Sequence, residues 1–349
     1  MQIASYTSHL TATPGRLGFL AALLLVSIWV LLPLKVSPPS THPTTTDIHN
    51  AQPSPDKVES AIPSPTVAVA SPPTDRPLIV YAYAESAAAR ENFQFFLGQG
   101  LHGAADFVFI FNGNTNASDL VPVLPHIRIV KRENTCFDLG AIGEVLRTDD
   151  LWKKYKRFIT MNASIRGPFL PTWASSTCWS DLFLNKVTEH NKLVGMTLNC
   201  QPRPHVQSMI FATDHVGMAI LLDPGLATTS VDDEHGKKED PVGLSGCYND
   251  WHKAVHAEIG TTGLIIRAGY KVDVMMTSLH SEKGAEEYCK AHPESGDLLW
   301  NNRYFGGNIH PYETVFMKTN RDVEKPLMAS LTAWHLKMNI SSYDTCGRG

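Results

Sequence analysis

The chain has 349 residues, with 30 Lys plus Arg against 34 Asp plus Glu and a formal net charge of −4. That near-balance, with no basic run, excludes a strongly basic nucleic-acid binder. Hydrophobic residues at 43% and charged residues at 18% are the proportions of a globular chain rather than a disordered one.

Residues 17–34 (LGFLAALLLVSIWVLLPL) carry no charge and are closed by Arg16 and Lys35. At about 1.5 Å per residue such a helix spans roughly 27 Å, enough for a bilayer core. The run exceeds the apolar part of a cleaved signal and no A-x-A site follows it. It therefore reads as a transmembrane signal-anchor behind a short cytoplasmic tail, 1–16, with secretion after signal cleavage as the alternative. From Ser37 to Pro77 stand about ten of the 23 prolines, many Ser and Thr, and almost no large apolar side chains. Such a segment, 35–76, reads as a disordered, polyproline-rich stem. Sequons at Asn116 and Asn339 suit a glycoprotein whose body is lumenal, with the Golgi membrane as its address.

From Pro77 the pattern changes to alternating strands and helices. Apolar runs at Leu78–Ala84, Phe107–Phe111, His126–Val130 and Arg157–Met161 read as strands. Helical spacing covers Ser86–Leu101 and Asp138–Leu146, the latter with Asp138 as its expected cap. Next come a helix at Trp179–His190, strands at Leu193–Leu198 and Val206–Phe211, and a helix at Asp214–Leu222. Residues 230–240 read as a mobile polar insertion, Asn249–Ala268 as the longest helix and Tyr270–Met276 as a strand. The alternation predicts an α/β domain over 77–325, its mainly parallel sheet covered by helices on both faces, then a C-terminal helix and tail, 326–349. Ligands in such sheets bind beyond the carboxyl ends of the strands.

Two strand ends carry chemistry. After the third strand, Arg132, Asn134, Asp138 and Gly140 crowd the start of a helix, which suits either a phosphate or sugar ligand or plain capping. After the fourth come Asn162-Ala163-Ser164-Ile165-Arg166-Gly167-Pro168. Arg166 can meet an anionic ligand or pair with a neighbouring carboxylate. Asn162 also opens a sequon, and a residue at the mouth of a site excludes that use.

The segments RENTCFDLGA (132–141), FITMNASIRGPFLP (158–171) and HVQSMIFATDHVGMAIL (205–221) together resemble the rhamnan synthesis protein F-like group of glycosyltransferases. The likeness runs from about Leu78 to Arg321 and includes the end segment HPYETVFMKTNR (310–321). It implies a GT-A-like, Rossmann-like fold that uses a nucleotide-sugar donor for hexosyl or deoxyhexosyl transfer. The first strand ends, with Tyr81, would hold the nucleoside, and Arg132, Asn134, Asp138, Asn162 and Ser164 would contact the donor. Asn162-Ala163-Ser164 stands where many such enzymes carry the metal-binding D-x-D. Both carboxylates are missing, so a divalent cation is left open and Arg166 or Lys318 is expected to neutralise the leaving diphosphate.

Glu258 is the expected base for the acceptor hydroxyl, with a solvated helical Glu as the plainer reading and Asp250 as a substitute more suited to capping. His310 is a diphosphate or metal candidate. Trp173, Trp179, Trp251, Trp300 and Tyr304 can stack on sugars, and Trp300 with Tyr304 in WNNRYFGG (300–307) is the expected acceptor lid. His252 and His256 have zinc-compatible spacing but no H-E-x-x-H pattern. Neither a P-loop nor a G-x-S-x-G elbow is present. Six cysteines allow fifteen pairings; Cys178 with Cys200 is one plausible pair, and Cys136 is expected to stay free. The expected partners are a nucleotide sugar, a glycan or glycoconjugate acceptor and the membrane, without nucleic acid. A non-catalytic glycan-binding or scaffolding protein on the same fold is the alternative.

Overall fold

The computed structural model describes residues 72–321 and 323–347. The chain divides into two units, 1–66 and 67–349, and every described residue belongs to the second. The expected tail, anchor and most of the stem lie outside the described residues. Among the described residues, no helix is long and apolar enough to cross a membrane.

In chain order the domain begins with β1 (Leu78–Ala84), α1 (Ala87–Gln99), β2 (Asp106–Asn112), β3 (Ile127–Arg132) and α2 (Asp138–Arg147). Then follow β4 (Arg157–Asn162), β5 (Ile165–Arg166), α3 (Trp179–Leu184), β6 (Asn191–Gly195), β7 (Leu198–Asn199), β8 (His205–Val206) and β9 (Ile210–Asp214). Next are α4 (His215–Leu222), α5 (Pro224–Ala227), α6 (Trp251–Arg267), β10 (Lys271–Val274) and α7 (Ala285–Ala291). The last elements are α8 (Pro311–Thr314), β11 (Met317–Lys318), α9 (Lys325–Met338) and α10 (Ser342–Thr345).

Seven strands form one sheet in the order β10-β6-β9-β4-β1-β2-β3. All neighbours are parallel except at β9, which is antiparallel to both β4 and β6. β1, β2 and β4 are buried on both faces, which explains their unbroken apolar runs. β3 closes the edge and carries Arg128, Lys131 and Arg132, charges that discourage pairing with another chain. On one face Tyr81 and Tyr83 of β1 and Phe107, Phe109 and Phe111 of β2 meet Phe93 and Phe96 of α1, with Trp179 of α3 beyond. Helices α2, α4 and α6 pack together against the other face. Phe93 and Phe96 sit at the centre of the aromatic layer, and truncating either to Ala is expected to cost about 3–5 kcal/mol.

The structure departs from several expectations. Phe137, not Asp138, caps α2, and Asp138 turns its side chain to Asn162 instead. The helix at Trp179 ends at Leu184 rather than reaching His190. The two strands expected at Leu193–Leu198 and Val206–Phe211 each break in two, and at the breaks Thr197 and Gln207 bond each other through both backbone, at 3.1 Å, and side chains, at 2.7 Å. Residues 230–240 form neither helix nor strand, yet Asp233 fastens them: its carboxylate accepts from the backbone of His235 and Gly236 and meets His256 at 2.8 Å.

The cysteine expectations are also corrected. The bonds are Cys136–Cys247, Cys178–Cys346 and Cys200–Cys289, so Cys136 is not free and Cys178 does not pair with Cys200. Cys178 caps α3 beside the C-terminal turn, whereas Cys200 faces α7. Cys136 reaches Cys247 because α2 accepts a strand of backbone lying on it: a Cβ at Gly143 would stand 1.7 Å from the Leu244 carbonyl oxygen. At the amino end, Thr74 bridges to Tyr155 and Asp75 pairs with Lys156, so the fold starts slightly before Pro77.

Candidate active site

The chain order of the sheet reverses between β1 and β4, since β2 and β3 lie to one side of β1 and β4 to the other. A crevice opens beyond the carboxyl ends of strands at such a point. Here it is a cleft of about 870 Å³. It is lined by the end of β1 (Ala82–Ala84), Asn112 at the end of β2, the loop 134–138, Ser208, Trp251, Glu258, Lys318 and Arg321.

Seven residues expected from the sequence line this cleft: Asn134, Asp138, Asn162, Ser164, Trp251, Glu258 and Lys318. Asn162 donates its amide to Asp138, while its carbonyl oxygen accepts from the Ser164 backbone at 3.0 Å and hydroxyl at 2.6 Å. Its amide nitrogen is thus committed inside the site, away from use as a glycan acceptor. Burial raises the Asp138 pKa, against the hydrogen bond from Asn162; the Glu258 charge adds to the rise and Lys318 opposes it. Asp138 and Glu258 therefore sense each other across the cleft. Glu258 accepts from Ser208 Oγ at 2.5 Å and stands 3.8 Å from His205 Nε2. Two fixed neighbours on one side leave its carboxylate aimed into the cleft. Lys318 has no ion pair among the described residues, so its ammonium is available to an anion.

The other expected residues lie elsewhere. Tyr81 is 0% exposed within the aromatic layer, so its ring meets no donor. Arg132 pairs with Glu144 at 2.6 Å and donates to Asn112 Oδ1 at 2.7 Å, holding a cleft residue from behind. Arg166 is a strut: it bonds Asn92 at 2.9 Å and Thr332 at 3.2 Å and pairs with Glu91 at 2.8 Å, which ties α1 to α9 outside the cleft. His310 caps α8 by accepting from the Tyr312 backbone at 3.1 Å. Tyr304 donates to Glu313 at 2.6 Å, and Trp300 lies under Arg321, 4.7 Å from its guanidinium carbon. Neither forms a lid among the cleft residues. His252 and His256 diverge, the first toward His235 at 3.2 Å and the second toward Asp233. Asn116 and Asn339 are both exposed on the surface, and Asp250 caps α6.

The residues missed are Ser208, Arg321 and Asn92. Ser208 follows the break between β8 and β9, and Arg321 is held by Asp297 at 3.3 Å and by the Trp300 ring. Asn92 is fully buried and reaches Ala163, Thr319 and Arg166, joining α1 to both segments that carry the cleft floor. Gln207-Ser208 and Asn320-Arg321 both stand inside quoted motif segments, and that was the available signal.

As a metal site the cleft is poor. At the position of the D-x-D stand an amide with its oxygen occupied, a methyl and a hydroxyl, and the nearby Asp138 is pushed toward its neutral form. A hard cation needs several free oxygen ligands, mainly carboxylate. Among the described residues, the one close cluster of three metal-ligating side chains is His102 with Cys178 and Cys346, whose sulfurs are bonded to each other.

No protein-family model matches the chain, and no curated protein matches it. Among solved structures, it is similar to a cytidylyltransferase from Leptospira borgpetersenii at 9% identity and TM-score 0.27, over 42% of this chain and 64% of that one. The chain therefore spans less than two thirds of that protein. A protein described as a nucleotide-diphospho-sugar transferase from Desulfovibrio desulfuricans shows 11% identity and TM-score 0.27, over 42% and 68%. HddC from Yersinia pseudotuberculosis shows 8% identity and TM-score 0.27, over 41% and 78%. Likeness this slight bears on neither substrate nor activity, and none of these structures is described as a member of the rhamnan synthesis F-like group. The mainly parallel, Rossmann-like sheet stands on the strand order itself.

Proposed function

We propose that the protein is a glycosyltransferase that moves a sugar from a nucleotide-sugar donor to a glycan or glycoconjugate. The observation that carries this reading is the meeting, at one strand-end crevice, of an unpaired Lys318 and the braced Arg321 with a Glu258 oriented by Ser208. Two cations in a cleft that also holds the carboxylates of Asp138, Glu234, Glu258 and Asp297 suit a substrate with an anionic diphosphate at one end and a hydroxyl at the other. The exposed Asn134, just past the end of β3, would meet the nucleoside, with Asn112 beneath it bonded to Tyr83 and Arg132.

In the proposed step the acceptor oxygen attacks the anomeric carbon while Glu258 takes its proton. The bond from that carbon to the diphosphate oxygen breaks, and Lys318 and Arg321 stabilise the negative charge that departs. The residues do not fit a divalent cation, so no step runs through one. Three disulfides suit an oxidising compartment, and with the sequons they support a lumenal domain behind an N-terminal Golgi anchor, or a secreted one.

The test is a thermal-shift screen of the purified chain against nucleoside diphosphates and their sugars, with and without EDTA. Stabilisation by one nucleotide that is reduced in Lys318→Ala and Arg321→Ala, and survives EDTA, is the expected result. A well-folded protein that responds to no nucleotide overturns the transferase and favours the glycan-binding alternative.

A further inference from the structure

The cleft has more length than a donor needs. Beyond Glu258 it continues along α6 to Trp251, which lines the cleft yet is 57% exposed. An exposed indole on a cleft wall is unusual, because an aromatic ring gains by burial. Its rim is already set: His235 and His252 meet Trp251 with ring centroids 5.2 and 5.0 Å away, at 88° and 77°. Near-perpendicular contacts support the ring at its orientation while leaving a flat face uncovered.

That rim comes from the insertion 230–240, and it is fastened from below. Asp233, 2% exposed at its side chain, meets the fully buried His256 at 2.8 Å and Arg203 at 3.2 Å. The loop can lie this close because residue 236 is Gly: a Cβ there would stand 2.5 Å from the His256 ring. The next two residues after Asp233, Glu234 and His235, are thereby delivered to the cleft rim beside Trp251.

We infer that Trp251, with Glu234 and His235, is the outer acceptor subsite, and that the acceptor is an oligosaccharide rather than a single sugar. This rests on the transferase reading for the position of Glu258. Trp251 and Glu258 are seven residues apart on one helix, hence on nearly the same face and roughly 10.5 Å apart along the axis. That gap exceeds one pyranose ring. A sugar whose hydroxyl reaches Glu258 cannot also stack on Trp251, but a second or third unit of the same chain can. The indole offers an apolar face to the ring C–H groups, while Glu234 and His235 offer an acceptor and a ring nitrogen to its hydroxyls.

The experiment titrates the full chain, saturated with the nucleoside diphosphate that stabilises it best, with a panel of α- and β-linked trisaccharides of glucose, galactose, mannose and N-acetylglucosamine and with the matching monosaccharides. Binding is read by calorimetry, and the nucleotide thermal shift is measured on the same samples. At least one trisaccharide is expected to bind about tenfold more tightly than its monosaccharide, and Trp251→Ala to abolish that difference while Trp251→Phe keeps most of it. Trp251 is exposed at the start of α6, so its truncation leaves the melting temperature of the free protein unchanged. Trisaccharide binding equal in wild type and Trp251→Ala, or no binding by any trisaccharide, overturns the subsite. Trp251-dependent binding without any nucleotide shift instead overturns the transferase and leaves the platform standing.

Discussion

The cleft is built in two different ways. One part of its lining is the ends of three parallel strands, β1, β2 and β4, with α1 and α2 returning the chain between them, and its residues sit at strand ends that follow directly from the pattern. The other part is assembled from short pieces: β7 and β8 of two residues each, the insertion 230–240, and one long helix. It is held by covalent and buried polar ties: Cys136–Cys247 fastens it to the loop after β3, and Cys200–Cys289 and the Asp233–His256 pair hold its short pieces. A wall held by regular hydrogen-bond ladders needs no such ties; one made of irregular backbone does, because each ordered residue costs about 1–2 kcal/mol of conformational entropy.

If the irregular wall carries the chemistry, the largest effect belongs to Glu258. Glu258→Gln is expected to lower the transfer rate by about 10²- to 10⁴-fold with nucleotide binding intact, measured as turnover against the nucleotide thermal shift. The ties come next. Cys136→Ser together with Cys247→Ser opens a link spanning 111 residues and is expected to cost about 2–5 kcal/mol in denaturant unfolding. At a strand end, Asn112→Ala removes the bonds to Tyr83 and Arg132 and is expected to cost about 1–3 kcal/mol.

Smaller effects sharpen the contrast between cations. Arg321→Ala is expected to weaken nucleoside diphosphate binding about tenfold, whereas Arg166→Ala leaves that affinity unchanged and costs about 1–3 kcal/mol of stability. Equal loss of affinity in both variants would return Arg166 to the site. A further effect is one of pH. Burial, with the nearby Arg76 and His126, lowers the His102 pKa from 6.5 to about 4. The unfolded chain binds that proton first, so stability is complete above the unfolded value and falls as pH drops from about 6.5 toward 4. His102→Gln should flatten that part of the melting-temperature profile.

The same division governs what the sequence made legible. The parallel strands and α1, α2, α4 and α6 follow from apolar runs and helical spacing, and with them Asn134, Asp138 and Asn162 at or near strand ends and Glu258 on α6. Arg166 shows where that reasoning stops. A residue just past a strand may point to either side of the ribbon it enters, and only the pairing of β5 with β11 decides that Lys318 faces the cleft while Arg166 faces α1 and α9. Tyr81 fails for a related reason, since its parity on β1 turns it into the aromatic layer. The cysteine bonds span 89 to 168 residues, and no local pattern encodes contacts at that range.

The chain enters the domain at the end of the sheet farthest from the cleft. Thr74 bridges to Tyr155, Asp75 pairs with Lys156, and Arg76 pairs with Asp106 at 2.5 Å, all at the amino ends of β1, β2 and β4. The seven residues of β1 put about 20 Å between that attachment and the ligand side. A pull on the preceding segment is thus taken up by the sheet as tension along parallel strands, sharing the load across three of them before it reaches any residue of the site. The point of entry and the cleft thus occupy opposite poles of the domain, so a load applied at Thr74 reaches the cleft only through the length of the sheet.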